Sequence, residues 1–203
     1  MDPVETVRRA YDAIGEDYHR WSHADPTRIA YVTRLAARLP EGSLVLELGC
    51  GPGDPATRLL SESHRVVGVE LSWGQLEIAR VKAPRAALVQ ADMTRLAVRP
   101  GSVDAIASFF ALGHLPSAAH APLLTSFGTW LKPGGVLVTT APLHAGEGYE
   151  DEWLGEPTFF GGIGHDATIA ALEAGGLTIE SVERLGDEEN GVFDWITATK
   201  DRG

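Results

Sequence analysis

The sequence predicts an α/β fold in which a parallel sheet carries helices on both faces and ends in one antiparallel strand. Short apolar runs alternate with helical stretches from residue 44 onward, and two strand-like runs close the chain with only a few residues between them. Short buried runs bounded by turn residues are typical of parallel strands. A connection as short as the last one joins only antiparallel neighbours.

Two amphipathic helices are predicted before the sheet begins. Asp2 supplies an N-cap for the first helix, Pro3 occupies its first position, and Glu5 completes a capping box. Asp25 and Pro26 repeat this start signal for the second helix. The apolar stripes are Val4, Val7, Tyr11, Ile14 and Tyr18 in the first helix, and Ile29, Val32, Ala36 and Leu39 in the second. Both stripes follow the helical period, so each helix should bury one face.

Five short apolar runs are expected to be the parallel strands, and capping residues mark the helices between them. The runs are Leu44–Leu48, Val66–Val69, Ala87–Val89, Val103–Ala107 and Val136–Thr140. Asp54 before Pro55, Ser72 with Gln75, and Ser117 each fit a helix N-terminus. The alternation of strand and helix predicts helices on both faces of the sheet.

The end of the chain is expected to add an antiparallel strand to this sheet. A helix follows Asp166, and the runs Leu177–Leu185 and Gly191–Thr199 come after it. They are joined by the acidic turn Gly186–Asn190, which is too short for a parallel crossover. The two runs therefore form a hairpin.

The connection between Leu143 and His165 does not fit this alternation. It is rich in glycine, contains Trp153 and the pair Phe159-Phe160, and is longer than structureless connections usually are. We expect it to be a lid inserted into a single domain that spans all 203 residues. In that domain, residues 1–40 form a helical cap and residues 41–203 form the α/β core.

The stretch VLELGCGPGDP, at residues 45–55, indicates a ligand held against bare backbone. Gly49, Gly51 and Gly53 follow the first strand, at the edge of the sheet where α/β proteins bind ligands. A dinucleotide motif would need glycine or alanine where Asp54 stands, and no Gly-Lys-Ser/Thr follows for a phosphate loop. Because Glu47 and Asp54 would repel phosphate, the turn suits a zwitterionic or cationic nucleoside.

VLELGCGPG resembles the cofactor motif of the class I S-adenosylmethionine-dependent methyltransferases, and further motifs match in order. Glu70 in VVGVELS corresponds to the acid that holds the ribose hydroxyls, and Asp92 and Met93 in VQADM correspond to the adenine pair. VDAIASFFALGHLP and LKPGGVLVTT resemble the fourth strand and the turn into the fifth. The resemblance runs from about Tyr11 to the C-terminus. It implies a Rossmann-like three-layer α/β/α sandwich whose seven-stranded, mostly parallel sheet has an antiparallel last strand, plus N-terminal helices.

The resemblance also implies a set of site residues. Those expected at the cofactor are Tyr11, Tyr18, Glu47, Gly49, Cys50, Gly51, Gly53, Glu70, Leu71, Asp92, Met93 and Phe109. His114, just past the fourth strand, is the first candidate for a general base and His165 the second. His144, Trp153, Phe159 and Phe160 are expected at the acceptor. Structural roles stay open: core packing for the tyrosines, a helix cap for Asp92, a small filler for Cys50, a loop hydrogen bond for His114 and loop anchoring for the lid aromatics.

Composition narrows the function further. A formal net charge of −11 and the absence of a Lys/Arg run argue against a nucleic-acid partner. The single Cys50 excludes an intrachain disulfide, and no apolar window reaches the ~20 residues of a membrane span, so the cytoplasm is expected. No His or carboxylate cluster has metal-ligand spacing, so no metal is expected.

These observations predict a methyltransferase that uses S-adenosylmethionine, releases S-adenosylhomocysteine, and methylates oxygen or nitrogen of a small metabolite or natural product. Ser108-Phe109-Phe110-Ala111 stands where amide and adenine methyltransferases carry Asn/Asp-Pro-Pro-Tyr, which disfavours those acceptors. A monomer or homodimer is expected. Two alternatives stay open: a non-catalytic partner or regulatory protein that binds S-adenosylmethionine, and an NAD-dependent oxidoreductase.

Overall fold

The computed structural model describes residues 2–187 and 191–202. The helices are α1 (Pro3–Ile14), α2 (Glu16–Ser22), α3 (Pro26–Arg38), α4 (Ala56–Leu60), α5 (Trp73–Lys82), α6 (Ser117–Trp130) and α7 (His165–Ala174). The strands are β1 (Leu44–Leu48), β2 (Arg65–Glu70), β3 (Ala87–Gln90), β4 (Val103–Ser108), β5 (Leu131–Pro142), β6 (Ala145–Trp153), β7 (Glu156–Ile163), β8 (Leu177–Asp187) and β9 (Gly191–Lys200). Short 3₁₀ turns lie at Met93–Arg95 and Leu112–His114.

Seven of these strands form one sheet in the order β3-β2-β1-β4-β5-β9-β8. The first five pair in parallel, whereas β9 lies antiparallel between β5 and β8. The predicted sandwich with an antiparallel last strand is therefore confirmed. Of the predicted closing turn, residues 188–190 lie outside the described part of the chain.

Apolar side chains cover both faces of the sheet. On one face Phe127 of α6 packs with Leu137 and Ile196 of the sheet, and all three are fully buried. On the other face Val32 of α3 packs with Trp195. Ile196 and Trp195 are neighbours on β9, so their opposite directions follow from the two-residue period of a strand. Both layers of helices are thereby fixed to one sheet.

The first predicted helix is two helices. Gly15, with φ of +52°, separates α1 from α2, so the predicted stripe from Val4 to Tyr18 crosses a break. Asp2 caps α1 as predicted, but Glu5 does not complete a capping box. Its carboxylate instead receives the guanidinium groups of Arg8 and Arg9 at 2.8 and 2.6 Å, because two cations one turn away outcompete a single backbone N–H.

Ser72 and Gln75, both buried, attach the N-terminal helices to the core. Asp12 accepts a hydrogen bond from the Ser72 hydroxyl at 2.6 Å. The amide nitrogen of Gln75 donates to the carbonyl oxygens of Tyr11 and Gly15, at 3.1 and 3.0 Å. Ser72 caps α5 by accepting from the Gln75 backbone, while the Gln75 side chain, expected to complete a capping box, points to α1. These bonds hold α1 over the carboxyl ends of the strands.

The prediction that Asp54 caps the helix after β1 is wrong. Helix α4 begins at Ala56, and the Asp54 carboxylate pairs with Arg58 at 2.8 Å and His19 at 3.2 Å. Burial raises the pKa of Asp54, but the hydrogen bonds from Arg58 and His19 outweigh it and leave that pKa below its ordinary value. His19, in the N-terminal helices, helps to decide where this side chain points. Local sequence patterns do not contain a contact between residues so far apart.

The predicted lid, Leu143–His165, folds as a β-hairpin. Strands β6 and β7 form a separate two-stranded sheet. They are joined by Leu154 and Gly155, whose φ angles of +51° and +87° are those of a tight type I′ turn. Sequence rules do not predict this hairpin. Leu-Gly replaces the usual Asn-Gly at the turn, and β6 is exposed and polar along most of its length, so it lacks the alternating apolar pattern of a strand.

We expect Gln75→Met to loosen the N-terminal helices without unfolding the core. The substitution keeps the side-chain length but leaves two carbonyl oxygens without their donor, at a cost of about 1–3 kcal/mol. Hydrogen exchange of amides in α1 and α2 should accelerate while exchange in β1, β4 and β5 stays slow. Gln90→Met, on an exposed side chain, is the control. Unchanged exchange in α1 would contradict the prediction.

Candidate active site

A cavity opens under α1 at the carboxyl ends of β1, β2 and β4. The space between its walls, the open mouth included, is about 660 Å³. Nine of the twelve predicted cofactor residues line it: Tyr11, Tyr18, Gly49, Gly51, Glu70, Leu71, Asp92, Met93 and Phe109. Residues that were not named individually as cofactor contacts also line it: Val4, Val7, Val69, Ala91, Phe110, Ala111 and Leu115. The fold therefore brings together residues that are more than 100 positions apart.

The floor of the cavity is backbone, because side chains do not fit there. Gly49 has φ of +69°, and a Cβ on it would lie 2.2 Å from the Cβ of Ala111. Only glycine combines this left-handed conformation with so close an approach. The turn thereby exposes main-chain groups to whatever occupies the cavity.

The carboxylate of Glu70 joins this turn to the end of β2. One oxygen accepts from the Gly51 N–H at 3.0 Å, and the other accepts from the N–H groups of Leu71 and Ser72 at 2.7 and 2.8 Å. Burial raises the pKa of Glu70 above its ordinary value, and the three N–H groups act in the opposite direction. A carboxylate with two oxygens still has capacity for a further donor from the cavity side.

Asp92 and Met93 form the opposite wall. Asp92 caps the short 3₁₀ turn by accepting from the Thr94 N–H at 2.9 Å and from the Thr94 hydroxyl at 2.7 Å. The Met93 methyl group reaches to within 3.6 Å of the position that a Cβ on Gly49 would occupy. The two residues thus have structural roles and also face the cavity.

Three predicted cofactor residues, Glu47, Cys50 and Gly53, lie behind the cavity wall. Glu47 is 3% exposed, one of its carboxylate oxygens has no hydrogen-bond partner, and burial raises its pKa to about 7. Burial likewise raises the pKa of the Cys50 thiol, whose sulfur packs against Gly68. That packing favours the small-filler interpretation of Cys50 over a nucleophile. Gly53 lies where the backbone comes so close to α5 that a Cβ would be 3.0 Å from the Cβ of Ala79.

His114 lies in the cavity wall and is held from both sides. Its Nδ1 lies 2.9 Å from the Phe159 carbonyl oxygen, and its Nε2 lies 2.8 Å from the Tyr11 hydroxyl. A carbonyl only accepts, so Nδ1 carries the proton and Nε2 accepts from Tyr11. Burial lowers the pKa of His114 to about 4 and raises that of Tyr11 well above 10. At neutral pH the pair is therefore uncharged, and the lone pair on His114 is already occupied.

Hairpin aromatics cover this histidine. The Trp153 ring lies 5.3 Å from Tyr11 and 5.6 Å from His114, and the Phe160 ring lies 4.7 Å from His114. Phe159 instead is buried against Tyr149, at 5.2 Å, and contributes its carbonyl. Trp153 and Phe160 thus form a roof between the hairpin and α1, outside the wall of the cavity.

The two other histidines predicted at the site, His165 and His144, lie apart from the cavity. Nδ1 of His165 lies 2.7 Å from the buried Asp194 carboxylate, which also receives Arg184 at 3.3 Å. This cluster ties the start of α7 to β8 and β9. Neither His165 nor His144 lines the cavity.

A second cavity, which the sequence did not reveal, shares Phe110 with the first. It encloses about 1010 Å³ with its open mouth and lies between the start of α3 and the ends of β8 and β9. Phe193, Trp195 and Arg28 contribute to its wall. Arg28 occurs on an amphipathic helix, where a surface position is expected for a cation, so no sequence signal marked it.

The family of this chain follows from comparison with known sequences and structures. A family profile described as "Methyltransferase domain" matches residues 45–135, the segment that holds the glycine turn, Glu70 and Asp92. The same segments form the cavity wall. The matched segment, residues 45–135, belongs to this methyltransferase domain family.

The chain is similar to methyltransferases that act on different molecules. It is 31% identical over 155 residues to a dTDP-3-amino-3,4,6-trideoxy-alpha-D-glucopyranose N,N-dimethyltransferase of Streptomyces venezuelae, covering 76% of this chain and 62% of that protein. It is 39% identical over 118 residues to a trans-aconitate 2-methyltransferase of Azoarcus sp., covering 56% and 45%. The chain thus spans less than two thirds of either relative.

A solved structure extends the similarity to the whole fold of this chain. Magnesium protoporphyrin IX methyltransferase of Synechocystis PCC 6803, crystallised with bound SAH, superposes with a TM-score of 0.77 at 17% identity. The match covers 98% of this chain and 100% of that chain. Within residues 2–187 and 191–202, no helix is long and apolar enough to cross a membrane, and no three His, Cys, Asp or Glu side chains cluster as a metal site.

We expect His114 to make stability depend on pH. The unfolded histidine binds a proton near pH 6.5, and the folded one only near pH 4. Between these values the unfolded chain holds more protons, so stability rises with pH and is lost as the pH falls from 6.5 to 4. The loss from this group is at most about 3 kcal/mol.

Urea unfolding at several pH values tests this. The change in free energy of unfolding between pH 7 and pH 4 should be smaller in His114→Gln than in the wild type. His23→Gln, on an exposed histidine, should retain the wild-type dependence. Identical pH profiles for His114→Gln and wild type would refute the assignment.

Proposed function

We propose that the protein transfers a methyl group from S-adenosylmethionine to oxygen or nitrogen of a small molecule. The observation that carries the proposal is the glycine turn without a phosphate clamp, with the acids Glu70 and Asp92 in the cavity wall and a third acid, Glu47, buried behind it. Such a site disfavours a pyrophosphate and suits a cofactor that carries ammonium and sulfonium charges and ribose hydroxyls.

The residues fit the parts of this cofactor. Glu70 would accept from the ribose hydroxyls, and Asp92 and Met93 would hold the adenine by its amine and its face. Glu47 has an unpartnered buried oxygen, which suits the ammonium of the methionine moiety. A cation beside it would favour the ionised carboxyl and bring the pKa of Glu47 down from about 7. Tyr11 and Tyr18 would close the cavity from above.

The bound cofactor supplies a methyl group on a positively charged sulfur, which is reactive towards any aligned nucleophile. The protein then contributes mainly by positioning, an effect that amounts to ~7–11 kcal/mol in well-oriented reactions. His114 is a weak candidate for a general base, since its Nε2 is occupied by Tyr11 and its pKa lies near 4. These properties favour an acceptor that is nucleophilic at neutral pH, and His114 then acts by orienting Tyr11.

The acceptor we propose is a small metabolite, and no nucleic acid or membrane is expected as a partner. The relatives named above act on an amino sugar nucleotide and on trans-aconitate, which supports a small molecule. The net charge of −11 disfavours a polyanion. The oligomer we expect is a monomer or homodimer.

Two other functions make different predictions. An NAD-dependent oxidoreductase would need pyrophosphate next to Asp54 and Glu47, both acidic. A protein that binds the cofactor without catalysis would have the first cavity but no acceptor site. The second cavity beside Phe110 favours a catalyst over that alternative.

Calorimetry with S-adenosylmethionine tests the cofactor. We expect a dissociation constant in the micromolar range, about −8 kcal/mol. Glu70→Ala should weaken binding at least tenfold, because the ribose loses its acceptor and Gly51 its hydrogen bond. Glu77→Ala, on an exposed acid of α5, should bind as the wild type does. Heat from NAD but none from the methionine cofactor would reject the proposal.

The hairpin of β6 and β7 is proposed to act as a lid. A Glu-specific protease should cut first within residues 147–156, where β6 is exposed and holds three glutamates. S-adenosylhomocysteine should slow these cuts, because occupation of the cavity stabilises Tyr11 and His114 beneath the hairpin. Cleavage after the exposed Glu62 is the control. A hairpin that resists the protease equally with and without ligand would not be a lid.

A further inference from the structure

The second cavity has aromatic walls and lies next to the first. Phe110 lines both cavities, so the two share a wall residue. Its ring lies 5.1 Å from Phe193 and 5.5 Å from Trp195, edge to face in both pairs. The backbone of Phe110 has φ of +61°, a conformation that a bulky residue adopts only when its surroundings impose it. The fold thus holds an aromatic ring at the boundary between the two cavities.

Two buried polar groups in the same wall have no partner. Arg28 is 6% exposed, and its Nε makes no hydrogen bond. Another of its nitrogens donates to the Ser22 carbonyl oxygen, and the guanidinium lies 5.6 Å from the Phe110 ring centroid. The Ser22 hydroxyl is also buried without a partner. The Arg28 guanidinium only donates and the Ser22 hydroxyl can also donate, so both can serve an acceptor bound in the cavity.

The charge of Arg28 is not neutralised by an ion pair. None of the ion pairs among the described side chains includes it. Asp25, in the same wall, accepts from the backbone N–H groups of Thr27 and Arg28 and caps α3. Glu47 also acts on Arg28 electrostatically, without pairing with it. A buried cation without a counter-ion is costly, and an anionic ligand would remove that cost.

We propose that the second cavity binds the methyl acceptor and that this acceptor is an aromatic carboxylate. Its ring lies among Phe110, Phe193 and Trp195, and its carboxylate accepts from Arg28 and Ser22. The inference rests on the proposed methyl transfer and specifies its substrate class. Aromatic walls with one charged end are the usual composition of a site for such a molecule.

The reaction of this acceptor needs no proton transfer. A lone pair of one carboxylate oxygen forms the new O–CH₃ bond while the C–S bond of the sulfonium breaks, and its electrons stay on sulfur. The products are a neutral methyl ester and the neutral thioether S-adenosylhomocysteine. A general base is unnecessary, which agrees with the occupied lone pair of His114.

Binding of paired probes tests the proposal directly. In the presence of S-adenosylhomocysteine, calorimetry should show that 2-naphthoate and indole-3-carboxylate bind at least tenfold tighter than the corresponding amides. Arg28→Met should weaken carboxylate binding at least tenfold and leave S-adenosylhomocysteine affinity within about threefold. Arg34→Met, on the exposed side of the same helix, is the matched control and should change neither. Phe193→Ala should weaken carboxylates and amides alike.

Several results would overturn the inference. Equal affinity for acids and amides, or no binding of either acid at millimolar concentration, would remove the anion site. A loss of S-adenosylhomocysteine affinity in Arg28→Met, with carboxylate binding retained, would assign the guanidinium to the cofactor. If Arg28→Met does not fold, Ser22→Ala must weaken carboxylate binding several-fold. Wild-type protein that binds the acids but not S-adenosylhomocysteine would refute the proposed methyl transfer and leave the anion site standing.

Discussion

The carboxylate of Glu70 is the interaction on which the cofactor end of the molecule depends. It receives three backbone N–H groups, from Gly51 on one side and from Leu71 and Ser72 on the other, so it fixes the turn after β1 to the end of β2. Ser72 in turn donates its hydroxyl to Asp12 of α1. A single half-buried acid therefore connects the floor of the cavity, the adjacent strand and the helix above. Hydrogen bonds from backbone N–H groups to an ionised carboxylate are stronger than those between neutral groups, so this connection is a firm one.

Local patterns predicted the parts of the fold that depend on neighbours in sequence. The strands from β1 to β5, the cap of α5 at Ser72 and the glycine turn follow from apolar runs and capping residues, and nine of the twelve predicted cofactor residues line one cavity. The features that the sequence did not predict correctly involve contacts between distant residues or an unusual turn. Asp54 turned to His19, and the hairpin of β6 and β7 uses a Leu-Gly turn that sequence rules do not favour. The burial of Arg28 depends on Phe110, 82 positions away, and no local pattern contains that information.

His114, at the centre of the site, is held in place by hydrogen bonds that also make it a weak base. His114 has the position expected of a base, yet its two nitrogens are committed to Phe159 and Tyr11. Through these bonds one side chain joins the loop after β4, the hairpin and α1. Burial keeps the imidazole uncharged, which avoids placing a cation beside the sulfonium that we propose to bind there. Burial therefore makes the histidine a weaker base and also keeps a second positive charge out of the cavity.

The hairpin of β6 and β7 is paired only with itself, and its ends leave and rejoin the core at adjacent points, where the His165 N–H donates to the Leu143 carbonyl oxygen. Its length and sequence are therefore free to diverge without moving any strand of the seven-stranded sheet. The molecule thus has two parts that depend on different supports: the cavity floor on the first three strands, and the hairpin that follows β5. A different hairpin at this point would change how the cavity is covered, while the strands that carry the cofactor turn stay in place.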